Sequence, residues 1–458
     1  MKNNSFLTVL ALVAPTMVLA KEGPCDIYAK ANTPCVAAHS LTRALFGEYN
    51  GNLYQVRRAD GATKDIPLEE KGGYVNSSVQ DEFCKGSRCT ISIIYDQSEY
   101  KNDLKKSPVV YWLKEGGKEA IADKAPIYIN GRKAYGFYRD AWSATGYRNN
   151  NTKGVATGDQ EEAMYMVVDG KHYNDKCCFN YGNAETTGND DGPGTMECVY
   201  FGSDVEWGGP GQGNGPWVAA DLEDGVFKGN DAGWQWGKTH TTPWPTAYSI
   251  VADFATAMLK GPNDGTFVLK GGDAQKDSLT TMWNGPRKRG YSPRKLQGAI
   301  VLGNGGDGSD GGAGTFFEGC MTIGNPPDSV DNLVQANIAS AGYGSKERKP
   351  EPETPKDTVP DTVAVGTRDT LSNDTLPNDT LPNDTVPHDS VTNPEGLPQL
   401  AFKTTSNTYV VFDIQGNKIA SFKSDHFYTG WNKIKSKLPN GVYVIKAGHW
   451  TVRVSKRS

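Results

Sequence analysis

The chain has 458 residues, room for two or three domains, and its 53 Gly and 26 Pro make turns the dominant local signal. Set against 8 Met, its 15 Phe, 21 Tyr and 10 Trp fit short strands joined by loops and exclude an all-helical bundle. A formal net charge of −5 gives no whole-chain attraction to phosphate backbones, which excludes nucleic acid as a default partner and leaves neutral ligands such as sugars open.

Residues 1–20 carry one Lys, an apolar core from Phe6, then Val18-Leu-Ala, the pattern of a secretory signal cleaved after Ala20. Beyond it no apolar run approaches the ~18 residues of a membrane span. Export permits disulfides, and eight Cys stand at 25, 35, 84, 89, 177, 178, 198 and 320. Cys25–Cys35 and Cys84–Cys89 close short loops suited to local bridges, while arithmetic leaves the rest of the connectivity open. No Cys-x-x-Cys tandem or His partner accompanies them, so no metal is expected.

From residue 21 to 344 alternating stretches such as Ala44–Tyr49, Leu53–Arg58 and Thr90–Tyr95 predict strands. Their number predicts an all-β fold, a large jelly-roll-like β-sandwich. The fair helix candidate is Asp328–Ala341, with Val330, Leu333, Val334 and Ile338 at helical spacing, expected at the sandwich edge. Residues 345–396 repeat Asn-Asp-Thr-Leu-Pro at Asn373 and Asn378 and hold 5 Lys/Arg against 11 Asp/Glu, which predicts a disordered, self-repelling linker. Residues 397–458 return to strand patterns around Gln-Gly-Asn and Pro-Asn-Gly turns, a small β-sandwich with 10 Lys/Arg against 2 Asp/Glu.

Three places carry chemistry. In Gly215-Pro-Trp-Val-Ala-Ala-Asp-Leu-Glu-Asp-Gly, strand alternation puts Trp217, Ala219, Asp221 and Glu223 on one face, two carboxylates beside an indole. That combination suits a sugar site, where aromatic faces stack on ring carbons and carboxylates supply acid, base or nucleophile. The run Leu302–Gly314 contains Gly303-x-Gly305-x-x-Gly308, formally a dinucleotide fingerprint, yet no helix can start in Ser309-Asp-Gly-Gly-Ala-Gly to receive a pyrophosphate. Glycines at this density instead permit close backbone approach to a ligand and present Asp307 or Asp310. Cys177-Cys178, joined to each other, would form a rigid apolar platform; joined elsewhere they would be ordinary staples.

Gly23-Pro-Cys-Asp-Ile-Tyr, Thr33-Pro-Cys-Val-Ala-Ala-His-Ser, Ile94-Tyr-Asp-Gln-Ser, Gly146-Tyr-Arg-Asn-Asn, His172-Tyr-Asn-Asp-Lys-Cys-Cys-Phe-Asn-Tyr-Gly-Asn-Ala-Glu and Gly314-Thr-Phe-Phe-Glu-Gly together resemble glycoside hydrolase family 54, the α-L-arabinofuranosidases. The resemblance implies a secreted, retaining, exo-acting enzyme that needs no cofactor and releases arabinofuranose from arabinan and arabinoxylan of plant cell walls. It implies Glu223 as nucleophile and Asp307 as acid/base, on strands that must be neighbours. It places a vicinal disulfide, Cys177–Cys178, and Trp207 against the sugar, gives Asp221 and the backbone at Gly306 to its hydroxyls, and matches the bridges Cys25–Cys35 and Cys84–Cys89. Asp224 and Gly225 stand where the family commonly has two Asn, which leaves another furanoside such as galactofuranose as an alternative substrate. A non-catalytic, lectin-like polysaccharide binder is the alternative of a different class. Cys198 and Cys320 replace small apolar residues and suggest an added bridge. The tail resembles, more loosely, C-terminal sorting domains of type IX secretion, which would contact the export machinery or the cell surface. A monomer is expected.

Overall fold

Two antiparallel sheets carry the first of the two units into which the computed structural model divides, Met1–Pro355 and Lys356–Ser458. The structure describes residues 22–230, 241–347 and short stretches between 408 and 456. The stretch expected as a signal sequence and all but three residues of the expected linker therefore lie outside the described residues.

A seven-stranded sheet runs in the order Cys35–Ser40, Gly314–Ile323, Glu162–Tyr173, Phe254–Gly261, Thr266–Asp273 and Thr280–Pro286, with Phe137–Arg139 paired to Gly314–Ile323. The second sheet has ten strands, with Val226–Phe227, Trp217–Asp221, Glu197–Gly202, Asn180–Ala184 and Ala299–Leu302 in succession at one side. One apolar core that includes Met164, Tyr165, Leu259, Phe316, Val199 and Ile300 joins them face to face, as the number of strand patterns predicted. Central strands are buried on both faces, so their sequences run continuously apolar rather than alternating.

The helix Asp328–Ser340 is present, but its packing corrects the expectation. Val330, Val334 and Ile338 are buried while Leu333 is exposed. Lys260 and Lys270, buried on adjacent strands of the seven-stranded sheet, reach Asp331 at 2.9 and 2.6 Å, so the helix lies over these strands and not at the sandwich edge. Arg43 makes a bidentate pair with buried Glu318, both bonds 2.6 Å. Breaking such a buried pair by removing one partner costs about 3–5 kcal/mol. Ala44–Tyr49, expected as a strand, forms turns that bury Ala44 and Leu45 beneath the Gln97 side chain.

The described residues of the second unit form one four-stranded antiparallel sheet, ordered Lys418–Lys423, Thr408–Phe412, Gly441–Ala447 and Trp450–Lys456. Tyr409 and Val411, and Tyr443 and Ile445, alternate onto one buried face.

Cys25–Cys35 and Cys84–Cys89 are bridged, as is Cys177–Cys178. The suggested Cys198–Cys320 bridge is absent: both are buried free thiols. Cys198, on the ten-stranded sheet, packs in a cluster with Ala184, Met196, Ala299 and Val301, whereas Cys320, on the seven-stranded sheet, packs in the main core, so the two do not meet. Cys320 lies instead within 4.8 Å of the sulfurs of Cys25 and Cys35. Thiol titration of the unreduced protein in guanidinium should therefore find two reactive thiols per chain, whereas none would mean that the two are bridged after all.

Candidate active site

The ten-stranded sheet forms the floor of a cleft of about 1000 Å³. Across one intervening strand, the Asn180 amide donates to Asp221 Oδ2 at 2.7 Å, and the Cys178 sulfur lies 3.1 Å from the same oxygen. Cys178 packs with Tyr200, Ala219 and Val226, against which Cys177 and Trp207 rest half-buried. The Trp207 backbone is pinned by its amide to Asp204 Oδ2 (2.9 Å) and by its carbonyl to the Val226 amide (2.8 Å). A disulfide and an indole thus wall one part of the cleft with apolar surface.

Strand alternation does not continue to Glu223. The strand ends at Asp221, and Glu223 and Asp224 both adopt left-handed backbone, φ 62° and 53°. Two consecutive non-glycine residues there cost on the order of 1–3 kcal/mol each and persist only where the surroundings impose them. Here the Glu223 amide donates to Asp221 Oδ1 (3.3 Å), the Tyr291 hydroxyl to the Asp224 carbonyl (2.9 Å) and the Leu222 amide to the Gly225 carbonyl (3.2 Å). A Cβ on Gly225 would stand 2.2 Å from the Phe227 ring, so Asn does not fit at this position without displacing that ring. Glu223 is swung off the strand into the cleft.

Asp307 arrives from a loop. Strands Trp217–Asp221 and Ala299–Leu302 are separated by two others, hence by about 14 Å, so the expectation of neighbouring strands is corrected. The glycine-rich run after Leu302 folds back to close that gap. A Cβ at Gly306 would lie 1.9 Å from Glu185 Oε2, and one at Gly312 would lie 2.5 Å from the Cys178 backbone. The Asp307 carboxylate accepts from the Ser309 amide at 2.8 Å, and its carbonyl from the Trp112 amide at 2.9 Å. Two buried arginines lace this loop down. Arg139 donates to the carbonyls of Cys178 (3.2 Å) and Asp310, and Arg148 to the carbonyls of Gly306 and Glu185.

Cys177, Cys178, Trp207, Asp221, Glu223, Asp224, Gly225, Gly306 and Asp307 all line the one cleft. Glu185, a buried carboxyl under Gly306, had no role assigned from sequence. Its Oε1 accepts from the Thr195 hydroxyl at 2.7 Å, and its Oε2 has no donor among the described residues. The charge of Glu185 acts on Glu223, so the two buried carboxyls resist ionising together. Burial, then the charges of Glu185, Asp221 and Asp307, push Glu223 up to about 12, and burial raises Glu185 as well. Asp221 is pushed to about 7, by burial first, with the Asn180 hydrogen bond opposing. Also unassigned were Arg139, Arg148 and three rim aromatics, Tyr111, Trp112 and Trp142. Arg148 and Glu185 nevertheless stand inside the quoted blocks around Gly146 and His172, the signal that pointed toward them.

Cys177, Cys178 and Asp221 bring donor atoms within 4.8 Å of one another, the spacing of a metal site. Disulfide sulfur has no thiolate to offer, so this set does not fit zinc.

Residues 24–344 match the family model described as α-L-arabinofuranosidase B, catalytic. An α-L-arabinofuranosidase B of Emericella nidulans is 47% identical over 374 residues, spanning 80% of this chain and 70% of the relative. A probable α-L-arabinofuranosidase B of Aspergillus fumigatus is 48% identical over 343 residues, 73% of this chain and 65% of the relative. The chain thus spans about two thirds of the length of such relatives. A solved arabinofuranosidase complexed with arabinofuranosyl-α-1,2-xylobiose superposes with a TM-score of 0.66 at 44% identity, over 70% of this chain and 66% of that one.

The raised Asp221 sets the sign of a stability test. A carboxyl whose folded pKa exceeds its unfolded ~3.9 is held at no cost below pH ~4 and loses stability as pH rises toward 7. Asp221→Asn should therefore be more stable than the parent at pH 8, by up to about 4 kcal/mol, with the difference vanishing near pH 4. Urea unfolding at the two pH values checks it, and a variant equally destabilised at both would contradict the electrostatic account.

Proposed function

The chain belongs to the α-L-arabinofuranosidase B catalytic family, and on that footing we propose that it is a secreted, retaining, exo-acting α-L-arabinofuranosidase with Glu223 as nucleophile and Asp307 as acid/base. The observation that carries the reading is the convergence of Glu223 and Asp307, from loops beyond well-separated strands, on one cleft walled by the Cys177–Cys178 disulfide and Trp207.

In this mechanism the terminal arabinofuranose lies over the disulfide, its ring carbons against sulfur and the Trp207 indole, with Asp221 and the Gly306 backbone at its hydroxyls. Glu223 attacks the anomeric carbon as Asp307 gives its proton to the departing glycosidic oxygen. Water, deprotonated by Asp307, then releases the sugar from Glu223 with the anomeric configuration it began with. Attack requires an ionised Glu223 in a site that disfavours charge. The Arg148 guanidinium, which interacts with the charges of Glu185, Asp307 and Glu223, favours that ionised form. Asp224 gives the sugar a carboxyl in place of an amide, raised by burial and by Asp190.

For residues 397–458 the reading is export or surface attachment, supported by the loose resemblance to sorting domains and by their basic composition.

The parent should release phenol from an aryl α-L-arabinofuranoside, and proton NMR should show the α-anomer of arabinose before mutarotation. Glu223→Ala and Asp307→Ala should each lose at least 10³-fold in kcat, with azide restoring turnover to Glu223→Ala as a β-configured glycosyl azide. Activity that survives either change, or β-arabinose as first product, would overturn the assignment.

A further inference from the structure

Cys177, Cys178 and Asp221 serve the hydrolytic mechanism only while the two sulfurs are bridged. Bridged sulfur is a poor ligand, but two added electrons turn the same residues into the parts of a metal centre. The Cys177 and Cys178 sulfurs lie 3.9 and 3.1 Å from Asp221 Oδ2. Tetrahedral zinc, with Zn–S of about 2.3 Å and Zn–O of about 2.0 Å, sets sulfur and oxygen ~3.5 Å apart, midway between those distances. The two sulfurs themselves must part to ~3.8 Å, which rotation about the Cα–Cβ bonds supplies once the bridge is open.

The surroundings hold such a ligand set in place. Asp221 is buried, and both of its oxygens are already oriented, Oδ2 by the Asn180 amide at 2.7 Å and Oδ1 by the Glu223 amide at 3.3 Å. Hydrogen bonds behind a ligating carboxylate fix its direction and raise its affinity for metal. The cysteine backbones are held without help from the disulfide. Arg139 donates to the Cys178 carbonyl at 3.2 Å, a Cβ at Gly312 would stand 2.5 Å from the Cys178 carbonyl carbon, and one at Gly311 would stand 2.9 Å from the Cys177 carbonyl oxygen. Cys177 is half-buried in the wall of the open cleft, so reductant, metal and a fourth, water ligand reach it from solvent.

We propose that Cys177, Cys178 and Asp221 are a latent zinc site, closed by the disulfide and opened by its reduction, and that zinc bound there shuts the cleft. A trialkylphosphine supplies the two electrons: the S–S bond breaks, water gives its oxygen to phosphorus to form the phosphine oxide, and its two hydrogens complete two thiols. Zinc then displaces both thiol protons to solvent. The ion occupies Asp221 and the two sulfurs, the surface assigned to the sugar, so the shutting of the cleft rests on the arabinofuranosidase reading while the binding of metal does not. In a chain exported from a reducing to an oxidising compartment, the site would exist before oxidation and vanish after it.

The test uses the full chain. After phosphine treatment, native-state alkylation and peptide mapping should find Cys177 and Cys178 as thiols. Cobalt(II) should then bind with a sulfur-to-cobalt charge-transfer band, and zinc should displace it. The band should be missing from the unreduced parent and from the reduced Cys177→Ala, Cys178→Ala double variant, which separates this site from the buried cluster of Cys25, Cys35 and Cys320. Reduced Asp221→Asn should bind zinc about tenfold more weakly or worse. On an aryl α-L-arabinofuranoside the reduced parent should lose most of its activity to zinc and regain it with EDTA, while zinc leaves the unreduced parent unchanged. A pair that stays bridged in the folded protein, an equal cobalt band in the double variant, or undiminished affinity in Asp221→Asn would each overturn the site. Reduced parent that is inactive even in EDTA, or fully active with metal bound, overturns the shutting of the cleft. If the unreduced parent cleaves no arabinoside, the arabinofuranosidase reading fails, and the cobalt spectrum still decides the metal site.

Discussion

Four carboxyl groups, those of Glu185, Asp221, Glu223 and Asp307, are gathered in and beneath one cleft, beside the buried guanidinium of Arg148. Like charges at this density cannot all ionise, and the rest of the site follows from that. Protons have to be held at neutral pH, so acid and base roles can coexist in a single cavity. The repulsion has to be resisted by covalent geometry and hydrogen bonds, which is where the left-handed backbone at Glu223 and Asp224 and the contacts of Asn180, Thr195 and Tyr291 enter.

The two-sheet scaffold makes such a concentration affordable. Lys260 and Lys270, paired with Asp331, and Arg43, which pairs with Glu318 and also donates to Asn337 at 2.8 Å, lock the seven-stranded sheet to its covering helix. The ten-stranded sheet is thereby free to spend its outward row on polar chemistry. Arg139 and Arg148 have a different part. They donate to main-chain carbonyls rather than to carboxylates, and so bind the vicinal disulfide, the Asp307 loop and the end of the Asn180–Ala184 strand into a single block. A displacement at Cys178 is felt at Asp310, and one at Glu185 is felt at Gly306.

Much of this was legible in the residues. Glycine and aromatic content pointed to a β-sandwich, and Cys177, Cys178, Trp207, Asp221, Glu223 and Asp307 line the same cleft, whereas Trp217, read as the indole beside the two carboxylates, is buried away from it with its Nε1–H on the Gln212 carbonyl. What escaped has a common physical origin. Pleat alternation put Glu223 on a strand because periodicity carries no information on a left-handed step that long-range contacts from Asp221 and Tyr291 enforce. Arg139 and Glu185 act through partners more than 100 residues away in the chain, at Asp310 and Gly306, for which no local pattern exists. Trp112 and Trp142 stand in stretches with no periodicity at all. Cys198 and Cys320 looked like partners because both replace small apolar residues of the family, and a substitution says nothing about which cluster each sulfur joins.

Cys320 has a consequence beyond the native state. Its sulfur is within 4.8 Å of both sulfurs of the Cys25–Cys35 bridge, and burial pushes the thiol well above its ordinary value, so the attacking thiolate is withheld while the strand Gly314–Ile323 stays in place. Heating that frees this strand ionises the sulfur beside a bond it can invade, and the amino-terminal loop would then re-form with the wrong partner. For this chain, surviving a hot wash is a matter of kinetics: an excursion short enough, or acidic enough, leaves the crosslinks unscrambled and the fold recoverable.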